Sequence, residues 1–278
     1  MPTPNRSDIV GIVRFSMVSK SPIGFPSLLE RSLQERESEI FSANRMERRF
    51  AFLQHILLPT LMRQNDQDFR LVVVTTENLP LPYRDRLNSS LSILPQASVL
   101  SIPVEATLLH ACRRSLQSAL KLSAERWSTF RIDDDDGLSL NYVARLRQSM
   151  QRAKNTCAVT MVPGLEVIEG DAYRYRLARK PCSGAGLALV SLSGDPSTGK
   201  FKSVYQLGAH RKVGERVHLE LIRGAPAYLR LIHGNNVSRI TAPPGGYIDA
   251  NEAENHLQAS FGYPSRESFE LIMADKKK

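Results

Sequence analysis

The sequence Phe130-Arg131-Ile132-Asp133-Asp134-Asp135-Asp136-Gly137 joins an apolar segment to four consecutive carboxylates and a glycine. Residues 127–132 predict a buried strand, and Gly137 predicts a turn. Like charges this close repel one another, so a folded chain concentrates them where a cation or a cationic partner neutralises them. Open α/β sheets bind their ligands at the carboxyl ends of strands. We therefore expect the acids to lie in an active site that holds a metal ion.

Strand and helix patterns alternate on both sides of this stretch. A helical pattern begins at Asn44 and should kink or end at Pro59, and two more are capped by Thr107 and Ser139. Such alternation predicts an α/β fold with a mostly parallel central sheet. The other strands are predicted at residues 9–13, 69–74, 99–102 and 158–162.

Beyond Pro163, glycines punctuate short segments, among them a hairpin with residues 173–177 as one arm. A chain of 278 residues can form one large domain with a substantial core. We expect a single domain over residues 1–278. Its nucleotide-binding half should cover about residues 9–162. An irregular half, which receives the second substrate, should cover residues 163–265, and a basic tail should cover residues 266–278.

The amino-acid composition of the chain is that of a globular protein, with 42% hydrophobic and 23% charged residues. No apolar run is long enough to span a membrane or act as a signal peptide, so we expect a cytoplasmic protein whose membrane contact, if any, is peripheral at the inner face. The three cysteines are widely spaced and predict neither a disulfide framework nor a zinc site. A net charge of +9 favours anionic partners.

The spacing of Asp133 and Asp135 predicts how the acids divide. Alternate residues at a strand end point the same way, so these two carboxylates can hold one divalent cation while Asp134 and Asp136 face elsewhere. Oxygen ligands suit Mn²⁺ or Mg²⁺, and Mg²⁺ usually shares its coordination shell with substrate phosphates. A metal ion at this site would therefore be expected to bind the diphosphate of a substrate.

The acids allow other interpretations. A calcium loop starting at Asp133 fails, because Leu138 and Ala144 replace the required glycine and glutamate. An aspartyl-phosphate phosphatase would use Asp134 as its covalent nucleophile, although Leu138 stands where a hydroxyl residue or valine is expected. The interpretation of the acids as a solvated acidic turn also remains open. The charge also suggests a nucleic-acid-binding protein, but aromatic residues make up only 7% and are not interleaved with basic ones, so we expect no nucleic-acid partner.

Five further segments accompany the acids: Arg14-Phe15-Ser16, Leu58-Pro59-Thr60-Leu61 with Gln64, residues 68–72, Pro82-Tyr83-Arg84, and Ile232-His233-Gly234-Asn235-Asn236. Together they resemble the bacterial rhamnosyltransferases, nucleotide-sugar glycosyltransferases of GT-A-like (Rossmann-like) fold. The resemblance covers about residues 9–240. It implies transfer of a sugar from a nucleoside-diphosphate donor to a hydroxyl of a glycan or lipid-linked acceptor, with rhamnose as one candidate sugar. The reaction would belong to bacterial surface glycan synthesis.

The resemblance also implies roles for individual residues. Asp135 would be the main metal ligand, with Asp133 near both the metal and the donor ribose. Such folds often add a late histidine to the metal shell, and His233 is the candidate, with His210 as the alternative.

The donor should also meet residues at the ends of the first and acid-bearing strands. Arg14 and Arg131 are placed to contact the nucleotide or neutralise the acids, and Ser16, Asp133 and Asp134 complete the expected donor-binding set. A solvated face is expected for the three arginines of the second helix, Arg45, Arg48 and Arg49, with the alternative that one of them reaches the site.

An inverting transferase needs a base within hydrogen-bond reach of the acceptor hydroxyl. Asp195, Glu215 and Glu220 lie in the second half of the chain, and no motif singles out one of them. Asp195 is the residue that we predict for this role. A retaining transferase would not require a base in this place, and the sequence leaves both outcomes open.

Overall fold

The computed structural model describes residues 7–18, 31–121, 124–192, 203–233 and 246–274. The strands within these ranges are β1 Ile9–Arg14, β2 Arg70–Thr76, β3 Ala97–Ile102, β4 Arg126–Asp133, β5 Asp136–Leu138, β6 Cys157–Val162, β7 Gly164–Ile168, β8 Arg174–Ala178, β9 Ala188–Leu192, β10 His218–Arg223, β11 Tyr228–Ile232 and β12 Tyr247–Ile248. The α-helices are α1 Leu33–Ile40, α2 Ala43–Phe52, α3 Leu58–Met62, α4 Leu81–Leu91, α5 Leu108–Ala119, α6 Tyr142–Arg152, α7 Ala250–Phe261 and α8 Arg266–Ala274.

The main sheet has seven strands in the order β10-β6-β9-β4-β1-β2-β3. All neighbouring pairs are parallel except those made by β9, which runs antiparallel to β4 and β6. The predicted α/β fold with a mostly parallel central sheet is therefore confirmed. Each predicted strand is present, with bounds that differ by a few residues.

The central strands of the main sheet are covered on both faces, which explains why β1, β2 and β6 are largely apolar, whereas the edge strand β10 carries exposed polar residues. In β1, Ile9 and Val13 pack into one buried cluster, with α2, α6 and their neighbours, whereas Val10 and Ile12 pack into another with α5. Gly11 lies where β1 approaches β4: a Cβ atom at this position would be 2.3 Å from Cζ of Phe130.

A second sheet of five strands, in the order β12-β8-β7-β11-β5, was not predicted. Its antiparallel pair β7 and β8 forms the hairpin expected around residues 173–177. Helices α7 and α8 cover its apolar face. The prediction of a basic tail from residue 266 is wrong at its start, because residues 266–274 form α8, in which Phe269 and Met273 are buried.

Pro59 does not end the helical path that starts with α2. A π-helical turn, Leu53–Leu57, leads directly into α3, which carries Pro59 in its first turn. Proline has no N–H to donate to the carbonyl of His55 four residues before it. The hydroxyl of Tyr263 donates to that carbonyl at 3.0 Å instead. This bond also attaches the segment after α7 to the helix that borders the site.

None of the helices in the described ranges has both the length and the apolarity needed to cross a bilayer.

Candidate active site

The four acids lie where the chain passes from the main sheet to the second sheet. Strand β4 ends at Asp133, which is paired in register with Arg14 at the end of β1. Asp134 and Asp135 form the turn, and Asp136 begins β5. The cluster thus occupies the carboxyl ends of two adjacent parallel strands, where α/β sheets bind ligands.

The predicted division of the acids by strand alternation is wrong in its reasoning, since the strand ends at Asp133 and Asp135 lies in a turn. Directions in a turn do not follow the two-residue period of a strand. What distinguishes the acids is the basic side chain beside each of them.

Asp133 lies between two arginines. Nη2 of Arg14 donates to its Oδ1 at 3.1 Å, and Nη2 of Arg131 is 3.7 Å from its Oδ2. Burial alone would raise the pKa of Asp133, but Arg14 and Arg131 lower it well below its ordinary value. Both guanidinium groups lie over the ring of Tyr205, at 5.7 and 5.0 Å from its centroid. Asp133 is therefore ionised and fixed in place beside two positive charges.

Asp134 is fully buried and paired with Arg49 of α2. Nε of Arg49 donates to Oδ2 at 2.7 Å, and Nη2 donates to Oδ1. Burial raises the pKa of Asp134 to about 7, with a further rise from Asp135 and an opposing effect of Arg49. The forked contact holds the turn against α2.

Asp135 contacts His233, which directly follows β11. Nε2 of the histidine lies 3.0 Å from Oδ2 of the acid, and the imidazole packs on the ring of Phe52 with 4.8 Å between centroids. Two adjacent ligands of an octahedral ion, each about 2.1 Å from it, stand about 3.0 Å apart. This spacing matches two neighbouring ligand positions, but it is also that of the hydrogen bond in which Nε2 donates to the carboxylate, so Nε2 must lose that proton before the pair can bind Mg²⁺ or Mn²⁺.

Within the described ranges, no three His, Cys, Asp or Glu side chains come together as a metal site. Asp133, the third predicted ligand, is directed to Arg14 and Arg131. Mg²⁺ sites commonly use one or two carboxylates and complete the shell with substrate phosphates and water. Asp135 supplies one such carboxylate, and the imidazole of His233 is a ligand more typical of transition metals.

Asp136 begins a row of alternating charges across the second sheet. It is paired in register with Arg230 on β11. Arg230 is paired with Glu166 on β7, and Glu166 is paired with Arg176 on β8. Nε of Arg176 donates to Glu166 at 2.9 Å, and Arg230 is 3.7 Å from the same carboxylate. Burial raises the pKa of Asp136 well above its ordinary value, and Asp135 and Asp133 add to the rise.

The arginines of α2 are not the solvated face that we expected. A small cleft is lined by Arg45, Arg48, Arg49, Phe52 and His233, so α2 forms a wall of the site. The partners of two of these arginines are distant in the chain: Arg48 donates to Glu169 at 2.8 Å, and Arg49 pairs with Asp134. Their helical spacing puts them on one face opposite the apolar side of α2, but it does not distinguish a solvated face from a wall of the site.

Two further predicted residues are not brought into the cluster by their side chains. Ser16 is buried, and its hydroxyl donates to the sulfur of Met46 at 3.3 Å; its contact with a donor stays a prediction. His210 contacts the carbonyl oxygen of Cys182 through Nδ1. Asp195, the predicted base, lies outside the described residues.

The phosphatase interpretation finds no support here. A covalent nucleophile must reach the phosphorus of its substrate. Asp134 is fully buried, and both its oxygens accept hydrogen bonds from Arg49.

Comparison with known proteins identifies the family. Residues 8–244 match the family described as "Putative rhamnosyl transferase". The structure is similar to S. aureus TarS 1-349, with a TM-score of 0.43 and 10% identity, covering 80% of this chain and 60% of that one. For the same protein in complex with UDP, the TM-score is 0.44 and the identity 10%, and the match covers 81% of this chain and 60% of that one. This chain thus spans about 60% of the length of the TarS structure. No curated protein sequence matches. The family match extends over most of the chain, which therefore belongs to the rhamnosyl transferase family of glycosyltransferases.

Proposed function

We propose that the protein is a metal-dependent glycosyltransferase that moves a sugar from a nucleoside-diphosphate donor to an acceptor hydroxyl. The observation that carries this proposal is the Asp135–His233 pair, 3.0 Å apart, at the carboxyl end of the acid-bearing strand. Rhamnose is the transferred sugar that the family description suggests. A glycan or lipid-linked acceptor in bacterial surface glycan synthesis, with peripheral contact at the inner face of the membrane, completes the proposal.

Asp135 and His233 would hold Mn²⁺ or Mg²⁺. When bound, the ion supplies a Lewis acid that stabilises the charge of the leaving diphosphate. The buried histidine ring is held by Phe52, so both ligand atoms are oriented before binding. Asp133, two residues before Asp135, would lie near the donor ribose in the proposed metal and donor site.

The arginines beside Asp133 prepare the site for an anionic donor. Arg14 and Arg131 keep that carboxylate ionised, so it can accept hydrogen bonds from sugar hydroxyls. Their side chains remain partly accessible, with exposed fractions of 22% and 14%. Guanidinium groups pair well with phosphate oxygens, so the same residues can bind the diphosphate. Arg49 acts through Asp134, whose position fixes the turn that carries Asp135.

Calorimetry with Mn²⁺ and a panel of nucleoside diphosphates tests the proposal. The wild type should bind one of them at least about 10-fold more tightly with Mn²⁺ than without, and Asp135→Asn and His233→Gln should lose most of that gain, since changing even the residues that support metal ligands costs about 10- to 100-fold. Asp85→Asn, an exposed change on α4, is the matched control and should leave binding unchanged.

Two results would refute the proposal. One is the absence of metal-dependent nucleotide binding by the wild type. The other is an Asp135→Asn variant that binds as the wild type does while the thermal midpoint shows that it is folded.

A further inference from the structure

His210 has a defined tautomer. It begins a 3₁₀ turn, His210–Glu215, and its Nδ1 lies 2.6 Å from the carbonyl oxygen of Cys182. A carbonyl oxygen can only accept, so Nδ1 carries the proton and the neutral ring keeps its lone pair on Nε2. Among the residues that the structure describes, none forms a hydrogen bond with Nε2.

The loop after Cys182 links this histidine to the acid cluster. The N–H of Gly186 donates to the carbonyl of Arg131 at 3.0 Å. Gly184 packs against the guanidinium of the same arginine. A Cβ atom added at Gly184 would lie 3.5 Å from Nη2 of Arg131. Arg131 in turn reaches Asp133. His210 is thus attached by one short loop to the wall of the proposed donor site.

The surroundings of His210 favour its neutral form. The half-buried position lowers the pKa of the imidazole below its ordinary 6.5, and the charges of Arg131, Arg211 and Arg230 lower it further, against a rise from the Cys182 carbonyl. Arg131 and Arg230 also lower the pKa of the buried carboxyl of Asp136, so the same two arginines act on the histidine and on the acid cluster. At neutral pH the imidazole is therefore unprotonated and can accept a proton at Nε2.

We propose that His210 is the general base of the transfer reaction, an inference that rests on the proposed function. Nε2 takes the proton of the acceptor hydroxyl as the acceptor oxygen forms its bond to the anomeric carbon. The bond from that carbon to the donor phosphate oxygen breaks, and the nucleoside diphosphate leaves with the electron pair. The imidazolium ion that forms is stabilised by the Cys182 carbonyl, to which it still donates through Nδ1.

A nuclear magnetic resonance titration of the imidazole nitrogens tests the ground state without any substrate. The full chain should give one histidine with a protonated Nδ1, a bare Nε2 and a pKa below 6.5, and this signal should vanish in His210→Asn. A protonated Nε2, or a pKa above 6.5, would overturn the assignment.

Two substitutions separate catalysis from support of the loop. The side-chain amide of His210→Asn can still donate to the Cys182 carbonyl but has no proton acceptor at the Nε2 position, whereas His210→Gln places an amide near that position. If the imidazole only held the loop, His210→Asn would retain activity. His218→Gln, an exposed change at the amino end of β10, is the matched control.

The activity assay uses water as the acceptor and measures nucleoside diphosphate released from a panel of nucleoside-diphosphate sugars with Mn²⁺. His210→Asn and His210→Gln should lower kcat by about 100- to 10,000-fold, the range for loss of a general base. The affinity for nucleoside diphosphate and the thermal midpoint should not change. The fall in the rate of the wild type below pH 6.5 should be absent from the residual activity.

The outcomes distinguish this inference from the proposed function. If the wild type consumes no donor, the proposed function fails and the role of His210 fails with it. If the wild type is active and His210→Asn keeps its rate or the same acid limb, only the role of His210 is overturned.

Discussion

Replacing Arg49 with methionine should destabilise the protein in a pH-dependent way. The substitution keeps the apolar stem of the side chain but removes the guanidinium that pairs with Asp134, whose exposed fraction is 0%. Removing one partner of a buried ion pair costs about 3 to 5 kcal/mol, because the remaining charge is buried without compensation. Arg49 itself is 23% exposed, so we expect the lower value, about 3 kcal/mol. This corresponds to a loss of about 6 to 12 °C in thermal midpoint.

The sign of the pH dependence follows from the raised pKa of Asp134. A carboxyl whose pKa rises from 3.8 to about 7 on folding stabilises the fold fully below pH 3.8, and this contribution is lost as the pH rises through about 7. Without Arg49 the pKa rises further, so the penalty for ionising Asp134 becomes larger at high pH. Wild type and variant should differ most above pH 7 and little near pH 5.

Thermal unfolding at pH 5 and pH 8 measures both effects. Arg45→Met is the matched control, because Arg45 is on the same helix but pairs with the 40% exposed Glu39 and should cost less than about 1 kcal/mol. Adding Asp134→Asn to the Arg49→Met variant should recover stability at pH 8, since no buried charge remains. A midpoint of Arg49→Met within about 1 °C of the wild type at pH 8, or an equal loss at both pH values, would refute the reasoning.

Three further predictions concern the core. Gly11→Ala should lower the free energy of unfolding by about 1 to 3 kcal/mol, because its Cβ would lie 2.3 Å from a ring carbon of β4; urea denaturation measures this, and an unchanged midpoint would contradict it. Tyr263→Phe should cost about 0.5 to 1.5 kcal/mol by removing the hydrogen bond that the hydroxyl donates to the carbonyl of His55, while the same change at the exposed Tyr247 should cost little. Burial raises the pKa of Cys112 to about 11, so native protein at pH 8 should resist alkylation there until it unfolds, as mass spectrometry can detect.

The main sheet could be predicted from the sequence because its signal is local. A strand buried on both faces is apolar at every position, and β1, β2 and β6 show that property in a few consecutive residues. The second sheet lacked such a signal. Its strands are short, with only two residues in β12 and three in β5, and one face carries the row of charges that ends at Asp136.

The partners within the candidate site could not be predicted, since they depend on contacts between distant positions. Arg49 and Asp134 are 85 positions apart, and Arg48 and Glu169 are 121 apart. Amphipathic spacing indicated only that these arginines share a helix face. Whether such a face meets solvent or a buried carboxylate depends on how the helix packs, and the sequence of α2 alone does not contain that information.

The partners of the acids also change the argument for a metal ion. Four adjacent carboxylates first indicated a metal because of their repulsion, but arginines lie beside three of them: Arg14 and Arg131 at Asp133, Arg49 at Asp134, and Arg230 in register with Asp136. Repulsion alone therefore no longer requires a metal. Asp135 differs, because it contacts an imidazole, which in its neutral form leaves the charge of the carboxylate uncancelled and is itself a common metal ligand. The case for a divalent cation thus depends on the identity of one partner, His233, rather than on the number of acids.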